Sequence, residues 1–492
     1  MEDEWTVDSN EALSISLVRP TPSGIEKVIS FHPRFTYPIF GEEERIFGHK
    51  KLRVDLQYDA RDLRPNISVS SSQKFAAVGD VEALDVQEVM KDFLPGVAFQ
   101  SKKEYTQALK DLSDTWTPPG TLLKTIEKHG EVYEIWHGNL AQLAVRQLVK
   151  RIQIAVLFFI EGGSYIGVDA EGNDMPESDL KRWSVLFVYK KTLSAGAEDK
   201  PQYTFQGYAT THHFWMYQEP PPKVSLSKEG AGDSWELPEG CCELTQLAHR
   251  LRISQFVILP PFQGKGIGAF LYGAIFETVM GNAATQELTV EDPNEDFDLL
   301  RDLCDMKYLR KNVPEFAKLK IHTNVTIPVK GGILRHSTQV TPPGEDSSSG
   351  DGIVNVAELE KLRLKTKIAP RQFWRLTEMH LMSKLPDSVR PRAVEEPKTR
   401  KPSKEEAHAY KLWRLLLKQR LYRRNITLLA EFDITERIVK LNETVEGVEW
   451  EYARILDRLQ STPSAVGNGK RKLNGEAEIE GSSSKKAKVE DA

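Results

Sequence analysis

Two clusters in this 492-residue chain have residue types and spacing suited to chemistry. The first is Gln263-Gly264-Lys265-Gly266-Ile267-Gly268-Ala269, which follows the apolar run Phe256-Val257-Ile258-Leu259 and opens an amphipathic segment. Glycines at every second position let the main chain come close to a ligand. A helix beginning near Gly268 would also aim its N–H groups and positive dipole end at an anion. The second cluster is Glu291-Asp292-Pro293-Asn294, at the end of a short strand pattern over 287–291. The proline turns the chain away and leaves two carboxylates at an edge. Carboxylates packed together raise one another's pKa, toward a value useful for taking a proton. Cys304 has no histidine near it in sequence to activate it, and His212-His213 has no cysteine or acid at ligand spacing. Neither a nucleophilic cysteine nor a bound metal is therefore expected.

The glycine loop admits several readings. The phosphate loop pattern Gly-x-x-x-x-Gly-Lys-Ser/Thr is absent. Gly264-x-Gly266-x-x-Ala269 satisfies the looser dinucleotide fingerprint, with Glu291 near the place of a ribose-binding acid. Against it, Pro260 through Gln263 separate the strand from the first glycine, and no succession of βα units follows. Gln263-x-x-Gly266-x-Gly268 matches the Gln/Arg-x-x-Gly-x-Gly/Ala signature of the GNAT N-acetyltransferases, where the loop holds the pyrophosphate of acetyl-coenzyme A. A plain glycine turn is the structural alternative.

These residues need elements to hold them. Leu52, Val54, Leu56 and Tyr58 alternate with polar residues, which predicts a half-buried strand. A short helix is expected over 85–93, stopped by Pro95-Gly96, and a strand over 131–136. Leu140, Leu143, Ala144, Leu148, Ile152, Ala155, Val156 and Phe159 follow helical spacing, predicting one long helix that ends at Glu161 before Gly162-Gly163. Strands follow over 183–190, 202–217 and 251–259. The middle third thus reads helix, three strands, glycine loop, helix, strand. The stretch 218–235, with Pro220-Pro221-Pro222, reads as a surface excursion, and 342–352 as a linker. Tyr410, Trp413, Leu417 and Leu421 form one helical face; Ile438, Leu441, Val445 and Val448 form another behind an Asp433/Glu436 capping box.

The start of the chain lacks an apolar signal region, no run approaches a membrane span, and Cys241, Cys242 and Cys304 make no disulfide framework. The chain reads as soluble and intracellular. Its net charge of −5 is uneven: residues 361–425 hold 19 Lys/Arg against 6 Asp/Glu, leaving 47 against 65 elsewhere. An acidic body favours basic partners over nucleic acid.

The stretches "FHPRFTYPIFGEEERIFGHKKLRVDL", "FFIEGGSYI", "GYATTHHFWMY", "RISQFVILPPFQGKGIGAFLYGAI" and "LTVEDPNEDFDLLRD" occur in that order. Over roughly residues 5–310 they resemble the type B histone acetyltransferase catalytic subunits of the GNAT superfamily. Ile267 stands where relatives often carry histidine, and nothing is carried over to residues 311–370. The resemblance implies an α+β fold: a GNAT domain over 139–310, its mixed sheet flanked by helices. A smaller α/β domain that binds the substrate tail precedes it over 1–138. A linker and helical region follow over 311–460, then a disordered tail over 461–492 with basic clusters.

It further implies acetyl-coenzyme A as co-substrate. Phe256, Val257 and Ile258 would line the acetyl-pantetheine arm, Gln263, Gly264, Lys265, Gly266, Ile267, Gly268 and Ala269 the pyrophosphate, and Asn294 would touch the cofactor. Glu291 would be the general base for direct transfer to lysine, with Asp292 and Glu161 as secondary acids. Glu42, Glu43 and Glu44 with His212, His213 and Phe214 would meet the peptide. The implied substrate is the tail of newly made histone H-four with its histone partner. The implied complex subunit is a WD-repeat β-propeller chaperone. Neither a membrane nor a specific nucleic-acid sequence is an implied partner, and the location is cytoplasmic and nuclear.

Overall fold

Alternating burial marks one strand of the first sheet, Arg53–Asp59. In a computed structural model, which describes residues 2–169, 171–193, 200–216, 247–325, 352–394 and 400–460, β1 (Leu13–Thr21), β2 (Gly24–Phe31), β3 (Arg53–Asp59) and β4 (Pro65–Ser70) pair in the order β2-β1-β3-β4. The buried set Val54, Leu56 and Tyr58 of β3 is the one its pattern predicts, with Leu52 buried just before it. The expected short helix spans Val86–Lys91, N-capped by Asp85. A further helix, α1 (Lys102–Asp111), starts at a Ser101/Glu104 capping box and seats Tyr105 and Leu109 against Val18.

The central sheet has six strands: β5 (Thr121–Lys128), β6 (Glu131–Asn139), β7 (Trp183–Leu193), β8 (Pro201–Trp215), β9 (His249–Ile258) and β10 (Thr285–Val290). Neighbours are antiparallel in sequence order from β5 to β9, and β10 lies parallel to β9. β5 and β6 come from upstream of residue 139, where the sequence reading set its boundary. That strand order has one parallel pair, which is not the doubly wound parallel sheet a dinucleotide fold requires.

The long helix expected up to Glu161 is two helices, α2 (Leu143–Ile152) and α3 (Ile154–Phe159). At the junction Val156 N–H bonds Gln153 O, three residues back, so the turn tightens where the β-branched Ile152, Ile154 and Val156 crowd it. The crossover helix α4 (Ile267–Gly281) joins β9 to β10, and α5 (Glu295–Asn312) follows β10. Gly268 of α4 packs on Leu300 of α5 and on Phe256 and Ile258 of β9.

The C-terminal region, for which the sequence offered only helical faces, is built into this sheet. It comprises α6 (Val356–Thr366), α7 (Pro370–Ser383), α8 (Lys404–Arg424) and α9 (Ile434–Gln460). Between α6 and α7, Lys367 O accepts from Leu288 N, and Ile368 bridges Leu288 on the outer edge of β10. The Lys367 ammonium donates to Val279 O and Asn282 O at 3.0 and 2.7 Å, capping the C-terminal end of α4. Arg375 of α7 binds buried Asp302 of α5 at 2.8 Å and Glu451 of α9 at 2.5 Å, while Arg420 of α8 binds buried Glu378 at 2.6 Å. Burial raises the Asp302 and Glu378 carboxyls against the pull of these arginines.

One cluster of buried apolar side chains runs from Leu13 to Leu456, so the expected segments share a core. Trp413, Leu417 and Leu421 are buried as expected, as is Val445. Ile438 is 56% exposed and does not belong to the packing face assigned to it. Asp433 accepts from Thr435 N and Glu436 N as an N-cap. The excursion at 218–235, Cys241, Cys242, the linker residues 342–351 and the tail from 461 lie outside the described residues. Among the described residues, no helix is long and apolar enough to cross a membrane.

Candidate active site

The site begins where two strands part. β9 pairs with β10 only as far as Ile253 and Val290, and Glu291 N–H then closes on Ile253 O at 2.9 Å. Asp292, at φ 33°, and Pro293 turn the chain aside into α5. β9 continues to Ile258, still paired with β8 on its other edge. A wedge therefore opens between residues 254–258 and 291–294.

Leu259 N–H goes to Gln206 O on the β8 side, and Gly207 of β8 is so close to Val257 O that a Cβ would lie 2.3 Å from it. By alternation, the main-chain groups of Phe256 and Ile258 face the wedge. Gln263 folds back so that its Nε2 donates to Ile258 O at 2.8 Å.

A bulge sits at the head of the wedge. Pairing of β8 with β9 shifts between Thr210 and Thr211, leaving Ser254 unmatched, and Gln255 N–H takes Thr210 Oγ1 at 3.0 Å. Side-chain faces exchange there. Phe256 and Ile258 point to α4, whereas Gln255 points the other way and donates to Ser164 O at 2.7 Å.

The glycine loop closes one end. Gly264 and Gly266 take φ of 73° and 88°, the left-handed region that glycine occupies at low cost. Gly266 is the N-cap of α4 and supplies no side-chain acceptor, so the first N–H groups of α4 keep their dipole end open to an anion. A Cβ at Gly264 would meet open space, while one at Gly266 would lie 2.8 Å from Lys128 Nζ. Gly268 serves differently: its Cβ would press Leu300 at 3.3 Å, so it lets α4 pack on α5. The Ile267 side chain is buried in the core, Lys265 is exposed, and Ala269 is half-buried in the first turn. An uncapped helix start, two left-handed glycines and a wedge of main-chain groups fit a pyrophosphate joined to an extended thioester arm.

The three acids separate into two attachments on β9. Glu291 and Asp292 are both exposed, so they are not packed together in the way that would desolvate either carboxylate. Glu161 is exposed on the loop after α3, which Tyr37 OH holds by accepting Gly162 N–H at 2.8 Å and Gln255 holds at Ser164. Glu291 is thus tied to Ile253 just before the bulge, and the Glu161 loop to Gln255 just after it. Asn294 Oδ1 accepts Phe297 N–H at 2.9 Å as the N-cap of α5, which commits that oxygen to the helix.

The proposed peptide-contact residues also divide. His212 lies between Trp183 and Phe214, tilted to the first and edge-on to the second, at centroid distances of 4.5 and 4.4 Å, and Arg252 lies 4.2 Å from the Phe214 ring centroid. Burial first, then the charges of Arg182, His213 and Arg252, push the His212 imidazole down to about 4, so it is neutral near pH 7. His213 does not join this set: its ring lies 4.7 Å from His249 on the opposite sheet face, with Nδ1 at Arg182 O. Glu42 and Glu43 are exposed, but Glu44 turns inward, its carboxylate accepting Thr36 N–H and Tyr37 N–H at 2.6 and 3.1 Å.

Cys304 lies on α5, where burial raises its thiol to about 12; a thiol held protonated is a poor nucleophile. Among the described residues no group of His, Cys, Asp or Glu could hold a metal. Sequence reasoning missed Lys128, Trp183 and Arg252, which no local motif links to the site.

Comparison with known proteins bears on this geometry. Residues 5–161 match the family model described as histone acetyl transferase HAT1 N-terminus, and residues 347–386 match fungal HAT1, C-terminal. The chain is 44% identical to a histone acetyltransferase type B catalytic subunit of Gibberella zeae, over all of both chains. It is 44% identical to that of Pyricularia oryzae over 100% of this chain and 99% of the relative, and 37% identical to that of Aspergillus oryzae over 92% and 86%.

Proposed function

Because this chain belongs to the family of histone acetyltransferase type B catalytic subunits and is a histone acetyltransferase, with acetyl-coenzyme A as co-substrate, we propose that it works by direct transfer in a ternary complex with Glu291 as general base. The observation that carries this reading is the wedge. Glu291 is anchored at its head by Ile253 O, where the strands part, on the side of the wedge opposite the main-chain groups of Phe256 and Ile258.

Acetyl-coenzyme A supplies an acetyl thioester. The N–H groups of Phe256 and Ile258 are available to the thioester oxygen, where they stabilise the negative charge that grows on it. Glu291 takes a proton from the lysine ammonium, whose ordinary pKa of about 10.4 keeps it charged near neutrality. The amine nitrogen then bonds to the acetyl carbon, the C–S bond breaks, and the thiolate leaves with the electron pair. The anion-binding start of α4 holds the pyrophosphate, with Gln263, Gly264 and Gly266 shaping the loop. Glu161 and Asp292 line the approach of the lysine, and neutral His212 beside Phe214 receives the peptide without repelling its charge. The protonated Cys304 favours direct transfer over a cysteine-borne acyl group.

For the substrate we assign the tail of newly made histone H-four, carried with its histone partner. A WD-repeat β-propeller chaperone is the proposed complex subunit. Exposed Glu42 and Glu43, and the acidic balance outside residues 361–425, support a basic peptide.

The test is Glu291→Gln, which keeps shape while removing the base. kcat should fall about 10²–10⁴-fold with the Kd for coenzyme A unaltered. Residual activity should keep rising with pH beyond the point where the unsubstituted enzyme levels off. A normal kcat with a normal pH profile would remove Glu291 from the role and make Glu161 the leading candidate. Histone H-four peptide acetylated no faster than an unrelated basic peptide would reject the substrate assignment. Purification without any β-propeller subunit from cells that make both would reject the partner.

A further inference from the structure

The glycine loop has a neighbour that its own motif does not announce. Lys128 ends β5, the edge strand, and reaches across to α4. Its Nζ donates to Lys265 O at 3.1 Å, lies 5.2 Å from the Phe270 ring centroid, and sits 2.8 Å from where a Cβ on Gly266 would be. The side chain is half-buried, and its ammonium has three donors of which one is used.

The cations around it are differently served. Lys124, on the same face of β5, holds both oxygens of Glu277 on α4 at 2.6 and 2.7 Å. Lys190 pairs with Glu131, and that carboxylate also feels the charge of Lys265. Lys128 faces a main-chain carbonyl and a ring and, like Lys265 over the Phe262 ring, has no carboxylate within 4.0 Å among the described residues. An ammonium in that setting lies beside Gly266, the residue that caps the open start of α4, with no carboxylate to balance its charge.

We propose that Lys128 is a binding residue for the pyrophosphate of coenzyme A, moving from Lys265 O to a phosphate oxygen when the coenzyme occupies the loop. This rests on the reading of the glycine loop as the coenzyme site. A charge-assisted hydrogen bond to phosphate, partly screened by solvent, is consistent with about a five- to twentyfold contribution to affinity.

Calorimetric titration of the full chain with coenzyme A, and with dephospho-coenzyme A lacking the 3′-phosphate, tests it. Lys128→Met should weaken both ligands by the same factor, Lys128→Arg should recover most of the loss, and Lys124→Met should bind both as the unsubstituted chain does. Normal binding by Lys128→Met overturns the proposal. So does an equal loss in Lys124→Met, which would mark a packing effect of β5 on α4. A loss for coenzyme A with none for dephospho-coenzyme A overturns the pyrophosphate assignment in favour of the 3′-phosphate. Failure of the unsubstituted chain to bind coenzyme A would instead overturn the reading of the loop, and the proposal with it.

Discussion

Replacing the three consecutive glutamates one at a time should split them into two classes. Glu44 Oε1 accepts the N–H groups of Thr36 and Tyr37, and Glu44 O accepts both Ser9 N–H and Ser9 Oγ at 2.8 and 2.6 Å. Ser9 and Thr36 are fully buried, and their hydroxyls meet at 2.6 Å. Glu44→Ala deletes the acceptor for two main-chain donors, one of them in the interior. Loss of a capping acceptor costs about 0.5–2 kcal/mol, and a stranded buried donor about 1–3 kcal/mol, so the variant should lose about 3 kcal/mol. Glu44→Gln keeps the oxygen and loses the charge assistance, which should cost about 1 kcal/mol.

The same segment bonds Phe158 O through Arg34 N and Phe35 N and holds the Glu161 loop through Tyr37. kcat/KM should therefore fall in Glu44→Ala by a factor that salt does not change. Glu42→Gln and Glu43→Gln should leave stability within about 0.5 kcal/mol and raise the KM for a basic peptide, less so as salt rises. Urea denaturation and peptide kinetics at two ionic strengths read all four variants. An unchanged urea midpoint in Glu44→Ala, with a salt-sensitive KM like that of its neighbours, would refute the inward role.

Gly266→Ala should weaken coenzyme A binding, because φ of 88° strains any Cβ and the new methyl meets Lys128 Nζ. Gly264→Ala, at φ 73° with open space around it, should show the conformational share alone. Calorimetry reads both; unchanged binding in Gly266→Ala would refute the close approach, and tight NAD binding without coenzyme A would refute the loop assignment. Asp305 accepts from Tyr272 OH and Gln372 Nε2, and burial raises its carboxyl from the ordinary 3.8 to about 6 despite Arg301. Its contribution is fully present below pH 3.8 and is lost as pH rises through about 6, a change of about 3 kcal/mol. Asp305→Asn should thus be more stable than the unsubstituted chain at pH 7.5 and equal to it near pH 4. A gap that widens on acidification would reverse the sign and sink the argument. Deleting residues 467–492, with the clusters Lys470-Arg471-Lys472 and Lys485-Lys486-Ala487-Lys488, should shift a tagged protein from nucleus to cytoplasm. Undiminished nuclear accumulation would exclude an import role.

Local patterns were legible where one physical cause decided the outcome. β3 alternates because one face is buried, and the glycine loop is written in residues that tolerate left-handed backbone. Features that depend on a distant partner left no trace. β5 begins with three exposed residues, Thr121, Leu122 and Leu123, so no alternation marks it as part of the central sheet. Gln153 resembles any polar residue in a helix, yet the helix breaks there. Three adjacent glutamates look equivalent until Thr36 and Tyr37 select one of them. His212 and His213 read as a pair although the pleat sends them to opposite faces. Apolar spacing also put Ile438 on a packing face, whereas burial on α9 is settled by what α5, α7 and α8 cover.

The clamp on α4 fixes an order of events during synthesis. The glycine loop leaves the ribosome about a hundred residues before Lys367, whose ammonium closes the far end of the same helix. Arg375 comes slightly later, and its partner Glu451 on α9 is close to the last described residue. At about 5–20 residues per second, the glycine loop exists for several seconds or more without the contacts that hold its helix and its neighbour α5. A nascent or prematurely ended chain would therefore carry the whole glycine motif and both strands of the wedge while α4 is still unfastened. The last described helices are in this sense a late step in assembling a site whose motif lies some two hundred residues upstream.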